Sequence, residues 1–190
     1  MIFLISLIIC IFLHELGHLI TAKICKCSVL VFSIGFGKEL FSFMYKGTKY
    51  RLALIPLGGY NKLEHEIDYC RNKYALPNLT YSKKLFVILA GCFINIATGY
   101  LAYYASYHWI INYNLYYFGV ISMALGVTNL IPFPALDGSY PFLFLLEKFM
   151  PKKRALHITS ILVKWGFIIL MTLNILFIPY MIKLLIKGAL

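Results

Sequence analysis

The chain has 190 residues, of which 61% are hydrophobic and only 13% are charged. Soluble domains carry roughly 25% charged residues, so this composition excludes an ordinary soluble domain and predicts a protein that crosses a membrane several times. The net charge of +11 could suggest a nucleic-acid partner. The basic residues are confined to a few segments, however, and this distribution indicates membrane orientation and no nucleic-acid partner.

Four apolar stretches are long enough to span a bilayer, since a spanning helix needs about 20 residues. They cover about residues 1–22, 85–107, 115–136 and 158–182. We therefore predict an all-α polytopic membrane protein with about four transmembrane helices, forming one domain over residues 1–190. A cleaved signal peptide is the alternative for the first stretch. No basic segment precedes that apolar run, and this disfavours the signal peptide.

The positions of the basic residues predict the orientation in the membrane. Of the 18 Lys and Arg residues, eleven lie within residues 23–84, four within 148–154 and none within 85–147. The positive-inside rule places the first two segments in the cytoplasm. We expect a multi-pass protein of the cell membrane whose first helix runs inward. Lys183 and Lys187 would then lie on the outer side, which opposes this orientation.

The first span contains the pentapeptide HELGH at its inner end. On a helix, His14 and His18 lie one turn apart on the same face and can bind one zinc ion, and Glu15 is placed to act as a general base. The pattern predicts a metalloprotease site within the membrane, toward its cytoplasmic side. A chance match is the alternative. A charged group near the bilayer centre costs about 2.5–3.5 kcal/mol, which favours a functional reason for these residues.

Residues 29–60 separate the first two spans and alternate short apolar runs with glycines and turn residues. This pattern predicts a membrane-associated β-hairpin or small sheet with a turn at 46–49. Non-helical backbone at membrane depth must lie against protein or a polar cavity, so we expect the hairpin beside the catalytic site. Its free edge could pair with a substrate strand, and Gly58 and Gly59 are candidate substrate-binding residues.

Two further clusters could bind a metal, and both have a simpler interpretation. The polar segment 61–84 groups acidic residues and a histidine at 64–68, where a solvated surface loop is favoured over a second metal site. Cys25 and Cys27 are separated by one residue, which is poor spacing for zinc and favours packing.

A catalytic zinc site uses three protein ligands and leaves the fourth position to water, so the HELGH motif needs another donor. Asp137 is the only acidic residue within 85–146, and it follows two prolines that must disrupt the third span. We predict that Asp137 is the third ligand; an aspartate that caps or turns the chain before glycine is the alternative. Asn95 and Asn129 are polar residues within spans. We predict that they bind substrate backbone or the oxyanion, with helix-to-helix hydrogen bonds as the alternative.

With these motifs, the chain resembles the site-2 protease family of intramembrane metalloproteases over nearly its whole length. HELGH at 14–18 is similar to the first motif of that family, and NLIPFPALDG at 129–138 is similar to its NPxPxLDG-type motif. Residues 55–60 resemble the hairpin region. Residues 90–95 resemble the AGPxxN motif of the second core helix, with Cys92 in place of proline.

The resemblance implies that His14, His18 and Asp137 are ligands of one catalytic Zn²⁺ and that Glu15 is the base. The implied core is three helices, spans one to three. The implied function is hydrolysis of peptide bonds in or near transmembrane segments, with a membrane protein substrate, the lipid bilayer and a possible regulatory membrane protein as partners. The chain resembles a minimal form of the family without PDZ or cystathionine-synthase-type domains.

Two alternatives to a protease remain open from the sequence. One is a non-enzymatic membrane zinc-binding protein or transporter, and the other is an inactive scaffold that binds transmembrane helices. Glu15 discriminates between the first alternative and a protease, because a transporter has no need of a base next to a ligand.

Overall fold

The computed structural model describes residues 2–64, 73–108 and 112–188. The chain divides into two compact units, Met1–Ile131 and Pro132–Leu190. The assignment of residues 1–190 to one domain stays a prediction.

The first unit contains three helices and two strands. Its elements are α1 (Ile2–Ile24), β1 (Val29–Tyr45), β2 (Thr48–Leu63), α2 (Tyr81–His108) and α3 (Tyr113–Asn129), and a 3-10 turn at Leu76–Asn78 precedes α2. The second unit begins with a 3-10 turn at Asp137–Ser139. It continues with α4 (Tyr140–Phe149) and α5 (Lys152–Gly188).

Three helices of the described residues are long and apolar enough to cross a membrane. They are Phe3–Ile24, Tyr81–His108 and Lys152–Leu173. The prediction of a mostly helical membrane protein is therefore confirmed for three spans. The third predicted span, 115–136, is not confirmed at that length, because α3 has 17 residues and ends at Asn129. The prolines that follow disfavour helical backbone in the residues before them, which explains the early end.

Small residues bring the three helices of the first unit close together. A Cβ on Gly17 of α1 would lie 3.1 Å from the Cα atom of Gly91 in α2, and a Cβ on Gly99 of α2 would lie 2.8 Å from the carbonyl oxygen of Gly119 in α3. Small residues at such crossings allow backbones to pack directly in membrane helices. The close α1–α2 contact places the histidine face of α1 against α2.

The predicted β-hairpin is confirmed. Strands β1 and β2 pair antiparallel, and Tyr45 is opposite Thr48 across the predicted turn. The pairing register shifts near Gly35 and Gly37, whose positive φ angles of +87° and +84° favour glycine. Before these glycines, residues 31–34 of β1 pair both with 59–62 and with 49–52 of β2, so this part of β1 is an interior strand.

A buried threonine ties the hairpin to the end of α1. Thr48 is fully buried, and its hydroxyl donates to the carbonyl oxygen of Val29 at 2.8 Å. Lys23, in the last turn of α1, donates to the same hydroxyl oxygen. The turn, the start of β1 and the end of α1 are therefore held by one side chain, which positions the hairpin relative to the HELGH helix.

Candidate metal centre

His14 and His18 form a pair of nitrogen donors on one face of α1. Both side chains are buried, and their Nε2 atoms lie 3.1 Å apart. Two nitrogens that bind one tetrahedral zinc at 2.0–2.1 Å are about 3.3 Å apart, so this spacing fits two ligands of a single ion. The rings meet edge to face, with their planes at 84°. Both Nε2 atoms can therefore coordinate one ion without a clash between the rings.

The backbone of α2 sets the proton position on His18. The Nδ1 atom of His18 lies 2.9 Å from the carbonyl oxygen of Val87. A carbonyl oxygen can only accept, so Nδ1 carries the proton and Nε2 keeps its lone pair for a metal. Metal-binding histidines are commonly oriented by such a contact on the second nitrogen.

Gly91 of α2 makes room for both histidines. A Cβ at this position would collide with His18 Nε2 and would lie 2.8 Å from the carbonyl oxygen of His14. No larger residue fits without moving an imidazole. The sequence contains Gly91 within a recognised motif, but its role depends on which face of α1 packs against α2, and no local pattern reveals that.

The hairpin reaches the predicted base, Glu15. The Nδ2 atom of Asn61 donates to the Glu15 carbonyl oxygen at 2.7 Å and to its carboxylate Oε2 at 2.9 Å. A Cβ on Gly59 would lie 2.8 Å from Glu15 Cγ, so glycine is needed for β2 to come this close. Asn61 was missed by sequence reasoning, because only the fold brings β2 beside α1.

Asp137 lies in the second unit, where a tight turn precedes it. The Leu136 amide donates to the Phe133 carbonyl oxygen at 2.9 Å, and Ala135 has a φ angle of +86°. Proline at the second position and a positive φ at the third identify a type II turn. Asp137 then opens the 3-10 turn that leads into α4. The chain therefore turns before this aspartate, as the two prolines predict, and the role of Asp137 as a metal ligand stays a prediction.

Gly166 of α5 supports that turn. A Cβ on Gly166 would collide with the carbonyl oxygen of Pro134 and would lie 2.6 Å from its Cβ. The turn before Asp137 therefore packs directly on the α5 backbone. Sequence reasoning gave Gly166 no role, since it lies in an apolar helix without a recognisable motif.

Comparison with known proteins identifies the family. The model of peptidase family M50, the site-2 protease family, matches residues 2–113 and 105–173. This chain belongs to peptidase family M50. The family membership confirms the resemblance drawn from the two motifs.

Curated relatives are consistent with this membership. A Helicobacter pylori protein is 44% identical over 103 residues, which are 50% of this chain and 29% of that protein. A Neisseria meningitidis protein is 34% identical over 135 residues, which are 69% of this chain and 27% of that protein. Both are provisionally named zinc metalloproteases. The chain thus spans less than a third of the length of each relative.

The M50 membership confirms zinc as the expected cofactor, and the ligand roles of His14, His18 and Asp137 stay predictions. Two imidazoles and one carboxylate are a donor set that suits zinc and leaves one position open.

The four candidate substrate-binding residues of this M50 chain differ in what surrounds them. Asn95 is fully buried against His14, and Asn129 ends α3 with its amide donating to the Leu125 carbonyl oxygen at 3.1 Å. A Cβ on Gly58 would collide with the ring of Phe36. The substrate-binding roles of Asn95, Asn129, Gly58 and Gly59 stay predictions.

The structure describes only one of the two other clusters in full. Burial raises the pKa of the Cys27 thiol to about 12, with the nearby Cys25 adding to the effect. Both thiols are buried, which agrees with the packing interpretation of this pair. The cluster at 64–68 lies outside the described residues except for Glu64.

We expect Gly91→Ala to weaken zinc binding by at least about 10-fold, the lower end of the loss that follows when a ligand is misoriented. The reason is that the added methyl group occupies the place of the His18 imidazole. Zinc affinity of the purified protein, measured by competition with a chromophoric chelator, tests this. Gly99→Ala is the matched control, since it crowds α2 against α3 away from both histidines. Equal zinc affinity in Gly91→Ala and wild type would contradict the proposed packing.

Proposed function

We propose that this chain is an intramembrane zinc endopeptidase that hydrolyses peptide bonds in or near the transmembrane segments of membrane proteins. The observation that carries the proposal is the pair of Nε2 atoms, 3.1 Å apart, on a helix long and apolar enough to cross a membrane. A hydrolytic site on a membrane-spanning helix is reached most directly by a substrate that is itself in the membrane.

Asp137 is proposed as the third ligand beside His14 and His18. The carboxylate supplies the negative charge that offsets a divalent ion bound by two neutral imidazoles. The type II turn before it sets the direction of the backbone at Asp137. With three protein donors, one coordination position stays open for chemistry.

Glu15 is proposed as the general base and then as the general acid. Zinc, when bound, polarises the scissile carbonyl and lowers the pKa of a water molecule toward ~7. Glu15 takes the proton of the attacking water and returns it to the leaving amine. The hydrogen bond from Asn61 to Oε2 fixes the rotamer of Glu15, so that its second oxygen is the one presented to water.

The substrate is proposed to bind as an extended strand. A helix has its amides locked in hydrogen bonds, so the scissile bond is reached only after local unwinding. Residues 59–62 of β2 pair with β1 on one side, and no other strand of the described residues pairs with them. A substrate strand added at this edge would run beside Glu15, because Gly59 and Asn61 both contact that side chain.

The location is proposed as the cell membrane, with the active site toward the cytoplasmic side. The basic residues of 23–84 support this orientation. Helix α3 is proposed as a fourth, short membrane element, since its 17 residues extend about 25 Å against a hydrocarbon core of about 30 Å. A regulatory membrane partner is a further proposal. Exposed apolar side chains along α5, such as Trp165 and Leu173, are available to lipid or to such a partner.

Removal of the metal tests the proposal. The purified chain would be reconstituted in liposomes with single-span peptides that carry Asn-Pro at mid-span, since proline weakens the helix there. We expect cleavage that stops after treatment with 1,10-phenanthroline and returns with added zinc. Cleavage that continues after the metal has been removed would contradict the proposal. Tight zinc binding without cleavage of any membrane substrate would favour the non-enzymatic zinc protein instead.

A further inference from the structure

Asn95 is the one fully buried asparagine in the described core, and it lies against a proposed metal ligand. Its Nδ2 atom is 3.5 Å from His14 Nδ1, while its Oδ1 atom is buried and has no hydrogen-bond partner in the described structure. A buried acceptor without a partner has lost its hydrogen bonds to water without replacement, so this orientation of the amide leaves a polar atom unsatisfied.

The two orientations of the amide place the His14 proton differently. When Nδ2 donates to Nδ1, the imidazole must carry its proton on Nε2, where it competes with a metal. Rotation of the amide by 180° about its terminal bond exchanges the two ends and brings Oδ1 opposite Nδ1. The oxygen can then accept a hydrogen bond from Nδ1–H, which leaves the lone pair on Nε2. This arrangement gives the buried oxygen a partner and moves the NH₂ group to the place that Oδ1 had.

The same logic already holds for His18. There a carbonyl oxygen of α2, from Val87, receives the Nδ1 proton at 2.9 Å. Asn95 lies on the same helix as Val87, eight residues later, so α2 provides an acceptor position for each histidine. The parallel favours an oxygen, and not the NH₂ group, opposite His14 Nδ1.

We propose that Asn95 is a positioning residue that holds His14 in its metal-binding tautomer through an Nδ1–H···Oδ1 hydrogen bond. This inference rests on the proposed zinc site and assigns Asn95 to the metal centre. The position is anchored, because the Ser122 hydroxyl of α3 donates to the Asn95 carbonyl oxygen at 2.9 Å. The backbone that carries the amide is thereby fixed between α2 and α3.

Zinc affinity of the purified full chain, measured by chelator competition, tests the proposal without any substrate. Asn95→Leu keeps the side-chain size and removes the acceptor, and we expect zinc affinity to fall 10–100-fold, as for other residues that orient metal ligands. Asn95→Asp can accept but cannot donate, so it is expected to retain zinc affinity near that of wild type. Ser106→Ala, which removes a hydroxyl of α2 that donates to the Tyr103 carbonyl oxygen about three turns beyond Asn95, is expected to bind zinc like wild type.

The outcomes separate this inference from the proposed function. Wild-type affinity in Asn95→Leu would overturn the role of Asn95 while leaving the zinc site intact. Size-exclusion chromatography and thermal unfolding would check that the Asn95→Asp protein is folded. If this folded variant bound zinc as weakly as Asn95→Leu, the hydrogen-bond acceptor would not be the feature that matters. Failure of the wild-type chain to bind zinc would instead contradict the proposed function itself.

Discussion

Replacement of Glu15 by glutamine is expected to reduce peptide hydrolysis by about 10²–10⁴-fold, the range that a general base contributes. Glutamine has nearly the same shape, and its carbonyl oxygen can still accept the hydrogen bond from Asn61. It cannot take a proton from water at neutral pH. The fold and the metal ligands are unchanged by this substitution, so zinc should remain at one ion per chain.

Two measurements on the same preparation check this expectation, namely zinc content by atomic absorption and the rate of cleavage of single-span peptides in liposomes. Glu39→Gln is the matched control, because Glu39 lies on the exposed part of β1 and pairs with Lys49. We expect that variant to cleave like wild type. Undiminished cleavage by Glu15→Gln would show that another group acts as the base.

Removal of a metal ligand is expected to have the second large effect. His14→Ala and His18→Ala each delete one of two Nε2 donors that lie 3.1 Å apart, so zinc should be lost during purification. Asp137→Asn exchanges a charged oxygen donor for a neutral amide. Its loss of affinity should be at least as large as the 10–100-fold loss seen when a residue that merely orients a ligand is removed.

The zinc stoichiometry of each variant, measured beside wild type after dialysis against a weak chelator, checks the ligand set. His157→Ala is the control for the histidine variants, since His157 is exposed on α5. It should keep its zinc. Full retention of zinc affinity in Asp137→Asn would contradict the third ligand and leave a site with two histidines and an unidentified donor.

The sequence alone predicted those features of the site that lie on a single secondary-structure element. His14 and His18 are four residues apart, so helical geometry alone places both imidazoles on one face. The hairpin was likewise predictable from turn residues and short apolar runs, including the turn between Tyr45 and Thr48. These features depend on local backbone preferences, which a single sequence contains.

The contacts that complete the site were not predictable, because each joins elements distant in the chain. Val87 and Gly91 act on the histidines only because α2 packs against α1 at this register. Asn61 reaches Glu15 from 46 positions away. The end of α3 at Asn129 was also misjudged, since apolar residues continue past it and hydrophobicity alone extends the span.

The central claim is that Glu15 and a zinc site on α1 cleave peptide bonds inside membranes. The most direct test is to compare new protein termini, by mass spectrometry, in membranes of cells that produce either the wild-type chain or Glu15→Gln. We predict termini within or beside transmembrane segments that appear with the wild-type chain and are absent with the variant, although both proteins bind zinc. The same set of termini in both membranes would contradict the claim.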